Sequence, residues 1–194
     1  MELESQRNIP LVFRYHKMKS SKMKVAKAAS KLIEDGDTVF IDATTTTQYM
    51  GHYLENKKEL TVITNNMALA TYLSDIGTKV ICLGGTIVEA PYMLSGIQAV
   101  ENAKKLHADK MFFSSAGITD KGNIVCAEMY YSLYLAMMEN SDKVYYLVDK
   151  GKLNPEGDNY LCDIDSVNTV ISDMDLEEII KKEYENTEYI IVRK

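Results

Sequence analysis

The stretch TVFIDATTTT, residues 38–47, decides the fold, because it joins an apolar run directly to four consecutive threonines. Val, Phe and Ile favour a strand, and a short, continuously apolar run is typical of a strand buried in a parallel sheet. Asp42 and the threonines then mark the carboxyl end of that strand. In open α/β sheets this end is where ligands bind, so the stretch predicts both an architecture and a place to look for a site.

Local propensity does not explain four threonines at the start of a helix, since Thr is a mediocre helix former. A strand-to-helix turn can hold a phosphate, because the first N–H groups of a helix are unpaired and small hydroxyls add donors. Thr44, Thr45, Thr46 and Thr47 are therefore candidate phosphate ligands, with Asp42 beside them. The alternative is that Thr44 or Thr45 only caps the helix.

Outward from this stretch, short apolar runs alternate with helical segments along the whole chain. This alternation predicts an α/β fold with three layers, a mainly parallel sheet carrying helices on both faces. The predicted strands cover residues 38–42, 60–64, 79–85, 109–117, 143–149, 168–172 and 189–193. The predicted helices are a basic helix ending near residue 36, two ending near residues 56 and 75, and helices at 97–107, 130–140 and 175–185.

The 194 residues fit a single domain, 1–194, in which residues 1–36 form a basic linker and the first helix. Hydrophobic content of 46% and charged content of 26% are ordinary for a globular protein, and no apolar run approaches membrane-spanning length. Neither a secretory signal nor a membrane partner is expected. Three scattered cysteines and three scattered histidines give no disulfide framework and no metal site, so we expect a cytoplasmic protein without metal or cofactor.

The net charge of −6 hides an asymmetry: residues 1–31 hold eight basic and two acidic residues, which leaves 14 basic and 26 acidic in the remainder. An acidic body is a poor match for nucleic acid. The basic segment at 14–31 can be a nucleic-acid arm or the solvated face of an amphipathic helix. The second interpretation is favoured, with an apolar face formed by Val25, Ala28, Ala29, Leu32 and Ile33.

Small polar or glycine residues follow five predicted strands. Each group alone is weak, because such residues are common in turns, but together they predict one polar pocket for a phosphate and several sugar hydroxyls. The candidates are Asp42 and Thr44 to Thr47; Thr64, Asn65 and Asn66; Gly84 and Gly85; Ser114, Ser115 and Gly117; and Asp149 and Lys152.

The order GDTVFIDATTTT, VITNN, LGG, ADKMFFSSAG and LVDKGK resembles the C-terminal effector-binding domain of DeoR-type transcriptional regulators, over about residues 15–175. The resemblance implies the fold of ribose-5-phosphate isomerase and glucosamine-6-phosphate deaminase, and a sensor for a phosphorylated sugar. It places the phosphate loop at residues 44–47, a second loop at 64–66, a glycine pair at 84–85, and an Asp and a Lys at Asp149 and Lys152. The chain departs from the family in having Thr44 where Gly is frequent, and no acid within residues 114–117.

The family's regulators also carry an N-terminal helix-turn-helix, which is absent from this chain. We therefore expect a fragment of a longer repressor or a stand-alone sensor, in either case a homo-oligomer. DNA is expected as a partner only through the missing helix-turn-helix.

The alternative function is a sugar-phosphate isomerase or deaminase. Proton transfer beside a carbonyl needs carboxylates and a lysine, for which Asp42, Glu128, Asp149 and Lys152 are candidates. The loop at 114–117 lacks the acid such enzymes carry, which favours binding without turnover. A nucleotide-cofactor site is weaker still, because no G-x-G-x-x-G follows the first strand.

Overall fold

The computed structural model describes residues 11–89, 92–155, 159–180 and 187–192. Short β-branched and aromatic runs form strands throughout this part of the chain. In chain order they are β1 (Thr38–Ile41), β2 (Thr61–Thr64), β3 (Lys79–Cys82), β4 (Thr86–Glu89), β5 (Met93–Ser95), β6 (Ala108–Phe113), β7 (Gly117–Ile118), β8 (Asn123–Cys126), β9 (Ser141–Val148), β10 (Asn159–Asp163), β11 (Thr169–Ser172) and β12 (Glu188–Ile191).

Helical segments lie between the strands. The α-helices are α1 (Leu11–His16), α2 (Lys19–Ser30), α3 (Met67–Asp75), α4 (Ile97–Ala103), α5 (Glu128–Glu139) and α6 (Leu176–Ile179). Shorter 3-10 turns cover Thr47–Tyr53, Lys150–Lys152 and Ile164–Ser166. None of the helices that the structure describes has the length and apolar character needed to cross a bilayer.

Seven strands form the main sheet in the order β12-β11-β9-β6-β1-β2-β3, and every neighbouring pair is parallel. In register, Val39 of β1 lies opposite Val62 of β2 and Lys110 of β6. The predicted parallel sheet is confirmed. Because all seven strands run in the same direction, the polar residues that follow them lie at one edge of the sheet.

The core has two parts, one on each face of the sheet. Phe40 belongs to the cluster that includes residues of α4, α5 and α6, whereas Val39 and Ile41 belong to the cluster that includes residues of α2, α3 and the 47–53 turn. Side chains alternate between faces along a strand, so this division shows helices covering both faces. The three-layer arrangement predicted from the sequence is confirmed.

Two small antiparallel sheets extend the carboxyl edge. Strands β4 and β5 form a hairpin, joined to the main body by an isolated bridge between Asn66 and Met93. Strands β10, β8 and β7 form the second sheet, joined by a bridge between Ile118 and Leu153. These sheets add walls beyond the strand ends.

The N-terminal segment differs from the single basic helix that the sequence predicts. Met18 adopts the left-handed conformation, with φ 57°, and separates α1 from α2, which ends at Ser30 and not near residue 36. The Tyr15 ring stacks on Tyr49 at 4.6 Å, and the Tyr49 hydroxyl donates to the Tyr15 carbonyl. This tertiary contact holds α1 against the domain and opposes the roughly 1–2 kcal/mol cost of a left-handed residue. Val25, Ala29 and Ile33 are buried as predicted.

The helix predicted after the threonines is a 3-10 turn, Thr47–Tyr53. Thr and Gly are weak helix formers, and Gly51 packs so closely on α3 that a Cβ would lie 2.8 Å from Leu69 Cδ1. Near the C-terminus, the predicted 175–185 helix is shorter than expected: α6 ends at Ile179, because Ile180 has an extended backbone. Residues 181–186 of the predicted helix lie outside the described residues. Strand β12 pairs with β11 at the sheet edge, where the sequence predicts a strand at 189–193. Arg193 lies outside the described residues.

Candidate functional site

The Asp42 carboxylate organises the threonine turn. Its Oδ1 accepts hydrogen bonds from the Thr44 hydroxyl at 3.0 Å and the Thr47 hydroxyl at 2.5 Å. Its Oδ2 accepts from the Tyr134 hydroxyl of α5 at 3.0 Å. Asp42 is fully buried, and burial raises its pKa to about 6, against the opposing effect of the Thr47 and Tyr134 hydrogen bonds. The aspartate is thus a structural centre beneath the turn.

The four threonines have different environments. Thr44 and Thr45 line a cavity, whereas Thr47 is fully buried on Asp42. The Thr46 hydroxyl is buried and makes no hydrogen bond to any residue that the structure describes. Thr44 Oγ1 accepts a long hydrogen bond from the Thr47 N–H at 3.4 Å, so one threonine does have a cap-like contact. The capping alternative therefore accounts for part of the motif, but not for Thr45 or Thr46.

Lys152 lies across the strand ends from this turn. Its ammonium donates to the Ser114 hydroxyl at 2.7 Å and to the Ser115 carbonyl at 2.9 Å. Burial lowers the pKa of Lys152, while the carboxylates of Asp149 and Asp42 act in the opposite direction. Gly117 is required beside it, since a Cβ there would lie 2.1 Å from the Lys152 carbonyl oxygen. The lysine is a buried cation that joins the ends of β6 and β9.

Asp149 and Ser115 complete this part of the edge. Asp149 Oδ1 accepts from the Gly151 N–H at 3.0 Å, whereas its Oδ2 is buried with no hydrogen-bond partner among the described residues. The Ser115 hydroxyl pairs with the Tyr146 hydroxyl at 2.8 Å. A buried carboxylate oxygen without a donor is costly. Asp149 thus offers a place for a ligand hydroxyl or N–H.

The sequence did not predict the part that the N-terminal helices play. Arg14, Lys17 and Lys22 all line the cavity. Lys17, Lys19, Lys24 and Lys27 are exposed, as expected for a solvated basic face, whereas Lys22 is an exception and is only 4% exposed. The signal was present in the spacing, because Lys22 lies three and seven residues before the buried Val25 and Ala29 and so falls on the apolar stripe.

Burial, together with the nearby positive charge of Lys152, lowers the pKa of Lys22 to about 8, while Asp149 opposes the shift. The Lys22 ammonium donates to the Arg14 carbonyl at 2.5 Å. The N-terminal helices therefore bring positive charge to the strand ends.

The cavity at this edge has a volume of about 590 Å³, within the usual range for small-molecule sites. Its lining joins cations, hydroxyls, carboxylates and apolar side chains. The lining residues are Arg14, Lys17, Met18, Lys22, Thr44, Thr45, Val88, Met93, Ser115, Ala116, Cys126, Ala127, Glu128, Met129, Tyr130, Tyr134, Asp149, Gly151, Lys152 and Asn159. No group of three or more His, Cys, Asp or Glu suited to a metal ion occurs within the described ranges.

The candidate residues separate into two groups. Thr44, Thr45, Ser115, Asp149 and Lys152 line the cavity. Directly beneath or beside them are Asp42, Thr46, Thr47, Ser114 and Gly117.

The candidates after β2 and β3 are not among the lining residues. The Asn65 side-chain N–H₂ donates to the Leu94 carbonyl of β5, and Asn66 caps α3 by accepting from Leu69 N. Thr64 Oγ1 accepts from Asn66 N. Gly84 and Gly85, with φ of 69° and 105°, form the turn into β4. These five residues therefore shape the start of α3 and the β4–β5 hairpin.

Comparison with known proteins agrees with this fold. Residues 17–174 match the family model described as the DeoR C terminal sensor domain. The HTH-type transcriptional repressor GlcR of Bacillus subtilis is 31% identical over 153 residues, which cover 78% of this chain and 59% of GlcR. The lactose phosphotransferase system repressor of Staphylococcus aureus strain NCTC 8325 is 32% identical over 162 residues, covering 81% of this chain and 63% of the repressor. The chain thus spans about 60% of the length of these relatives.

Among solved structures, ribose 5-phosphate isomerase A from Methanocaldococcus jannaschii superposes with a TM-score of 0.52 at 16% identity, covering 70% of this chain and 54% of the isomerase. The isomerase-like α/β fold implied by the resemblance is confirmed. At this identity the likeness concerns the fold alone.

Proposed function

The chain belongs to the family of DeoR C-terminal sensor domains, and on that premise we propose that it binds a phosphorylated sugar as the effector of a transcriptional regulator of carbohydrate metabolism. The observation that carries the proposal is the composition of the cavity. Cations, hydroxyls and an unpartnered carboxylate oxygen line one space of about 590 Å³ at the carboxyl edge of a parallel sheet. A sugar phosphate presents the complementary groups, an anion and several hydroxyls.

The threonine turn and Lys152 would hold the phosphate. The Thr45 side chain lines the cavity and the Thr46 hydroxyl lacks a partner, so both can donate to phosphate oxygens after small rotations. Lys152 supplies charge at the same edge. Asp149, through its unpartnered Oδ2, would accept from a sugar hydroxyl, and Tyr130 would cover the apolar face of the ring.

The most informative experiment is a thermal-shift panel of hexose 6-phosphates and pentose 5-phosphates, each paired with the same sugar without phosphate. A ligand that binds only the folded protein at a hundredfold excess over Kd stabilises it by about 2.7 kcal/mol. The phosphorylated member of at least one pair should raise the Tm. Equal stabilisation by the unphosphorylated sugars would overturn the proposal.

The double variant Thr45→Val and Thr46→Val tests the assignment of the phosphate to the turn. Valine has nearly the shape of threonine, and the Thr46 hydroxyl has no hydrogen-bond partner to lose among the described residues, so the unliganded protein should fold. The ligand-induced rise in Tm should disappear, because both hydroxyls are gone. Thr71→Val is the matched control, because Thr71 is exposed on α3. A normal response of the double variant would mean that these hydroxyls serve only the turn.

We further propose binding without turnover. The relatives are transcriptional repressors, the loop at 114–117 has no carboxylate, and Asp42 is buried under three hydroxyl donors that leave it no route to a substrate. Incubation with ribose 5-phosphate or glucosamine 6-phosphate should give neither isomerised product nor ammonia. Turnover that is lost in Asp149→Asn would instead favour the isomerase or deaminase alternative.

DNA binding and assembly are proposals about the whole regulator. The two repressors extend beyond the matched region, and we place DNA recognition in a helix-turn-helix outside residues 1–194. This chain alone should bind DNA weakly and without sequence preference, as a gel-shift at physiological salt would show.

We also propose that the protein is a homo-oligomer, which sedimentation velocity tests. Exposed Ile87, Ile97 and Met129 on neighbouring elements support it.

A further inference from the structure

The cavity has an apolar part besides its polar strand ends. The residues of this apolar patch are Val88 of β4, Met93 of β5, and Cys126, Ala127 and Met129 at the junction of β8 with α5. None of these five side chains carries a hydroxyl, an amide or a charge. They come from elements that lie outside the seven-stranded sheet. The cavity is therefore lined by two chemically different surfaces.

The patch is continuous and reaches the threonine turn. Met93 and Ala43 form a small core cluster of their own, with Val88 and Tyr130 packed against it. The Tyr130 hydroxyl donates to the Met93 sulfur at 3.6 Å, which joins the β4–β5 hairpin to α5. Ala43 directly precedes Thr44, which also lines the cavity. A ligand whose phosphate lies at the turn is therefore within reach of the patch.

The position of Val88 depends on an irregularity of the hairpin. The register of β4 on β5 shifts between the pairs Ile87–Leu94 and Glu89–Met93, so Val88 has no residue opposite it. Such a bulge re-aims a side chain, and bulges are frequent beside functional sites. Val88 lines the cavity, whereas Ile87 is 53% exposed and is not among the lining residues. The bulge thus directs one apolar side chain of β4 to the cavity.

Met129 is the most exposed member of the patch, at 55%. Its backbone is fixed, because its carbonyl accepts from the Ser95 hydroxyl at 2.8 Å, while its unbranched thioether can adapt to the shape of a ligand. Sugar hydroxyls placed against Val88, Met93 and Met129 would lose water without gaining a hydrogen bond, which is unfavourable. An apolar group in the same place gains from leaving water. The patch therefore favours a ligand that is more than a fully hydroxylated sugar.

We propose that the apolar patch is a subsite for an apolar group joined to the sugar, so that the effector is a hexose 6-phosphate with an alkyl or aryl group in glycosidic linkage. The polar part of the cavity holds the phosphate, and in this respect the inference rests on the proposed function. The subsite itself rests on the hairpin and the start of α5. It selects such glycosides over the bare sugar phosphate.

A series of alkyl β-glucoside 6-phosphates tests the subsite by isothermal titration calorimetry. The methyl, ethyl, propyl and butyl glycosides are compared with one another and with the same glycosides without phosphate. Each methylene that leaves water completely strengthens binding about fourfold. The Kd should therefore fall by at least about tenfold from the methyl to the butyl glycoside 6-phosphate.

Matched variants separate the subsite from unspecific adsorption of the alkyl chain. Met129→Gln keeps the length of the side chain and Val88→Thr keeps its branching, and neither side chain is fully buried, so both variants should fold. Each should reduce the gain along the series to about threefold or less, while the Kd of the methyl glycoside 6-phosphate stays within about twofold. Ile87→Thr and Met67→Gln, at exposed positions outside the lining, should keep the whole gain.

The outcomes distinguish this inference from the proposed function. Glycoside 6-phosphates that bind with one affinity at every chain length would refute the subsite and leave the proposed function intact. A gain that glycosides without phosphate show equally, and that Met129→Gln removes, would support the subsite while counting against a sugar-phosphate effector. An undiminished gain in both Met129→Gln and Val88→Thr would overturn the subsite, because the alkyl chain would then bind elsewhere.

Discussion

Two halves of the carboxyl edge carry the same kinds of residue but differ in what those residues do. After β1, β6 and β9, hydroxyls, Asp149 and Lys152 surround a cavity, and some of their polar atoms lack partners. After β2, Thr64, Asn65 and Asn66 bond to β5, to α3 or to the Asn66 N–H. Asn65 Oδ1 and Asn66 Nδ2 also lack partners among the described residues, but none of the three residues lines the cavity. The first half is open to a ligand, whereas the second supports the β4–β5 hairpin. Polar strand ends in an α/β fold therefore indicate a site only where the neighbouring chain leaves space.

The largest expected effect is that of Lys152→Met in the cavity half. The substitution removes a buried ammonium that compensates Asp149 and Asp42 and bonds to Ser114 and Ser115. We expect a loss of about 3 kcal/mol in the free energy of unfolding and of about a hundredfold in sugar-phosphate affinity. Urea unfolding and calorimetric titration measure the two quantities. Lys150→Met, at an exposed position two residues away, should change the stability by less than about 0.5 kcal/mol; similar losses in both variants would remove Lys152 from its assigned role.

Asp42 should give the cavity half a pH dependence that the hairpin half lacks. Its folded pKa of about 6 lies above the ordinary aspartate pKa of 3.8, so the folded protein binds this proton more tightly than the unfolded chain. The resulting stabilisation is full below about pH 4 and is lost as the pH rises through about 6.

The free energy of unfolding of the unaltered protein should therefore fall by roughly 2 to 3 kcal/mol between these pH values. That of Asp42→Asn should show no such fall. Urea unfolding at a series of pH values gives both curves, and their difference isolates this carboxylate from the others. Parallel curves for the two proteins would show that Asp42 is ionised normally. Asn66→Ala should keep the pH profile of the unaltered protein, since an amide does not titrate.

Asn66→Ala should have the smallest effect, and it sharpens the contrast. It removes the cap of α3, in which Asn66 Oδ1 accepts from Leu69 N at 3.1 Å, and should lower the free energy of unfolding by about 1 kcal/mol. Sugar-phosphate affinity should change less than about twofold, because Asn66 does not line the cavity. A tenfold loss of affinity would place the hairpin half within the site after all.

The sequence predicted the architecture because each strand carries its own signal. Runs such as TVFI, TVIT and TVIS are β-branched and bounded by polar residues, and their alternation with helices requires parallel pairing. The predictions of the 44–56 segment and of the basic helix were less successful. Thr47–Tyr53 forms a 3-10 turn packed on α3, and the basic helix breaks at Met18, which lies against Gly151. Both outcomes depend on partners distant in sequence, which local propensity does not include.

Taken alone, the sequence determined that this protein is an α/β domain with polar strand ends at one edge, because periodicity and turn chemistry are local properties. Only the tertiary structure decided which of those polar groups border a cavity and which lie away from it, against the β4–β5 hairpin and the start of α3. It also brought Lys22 from the N-terminal helices into the lining of the same cavity as Asp149. The physical reason is that hydrogen-bond satisfaction and burial are shared between segments far apart in the chain, so they are settled only when those segments pack together.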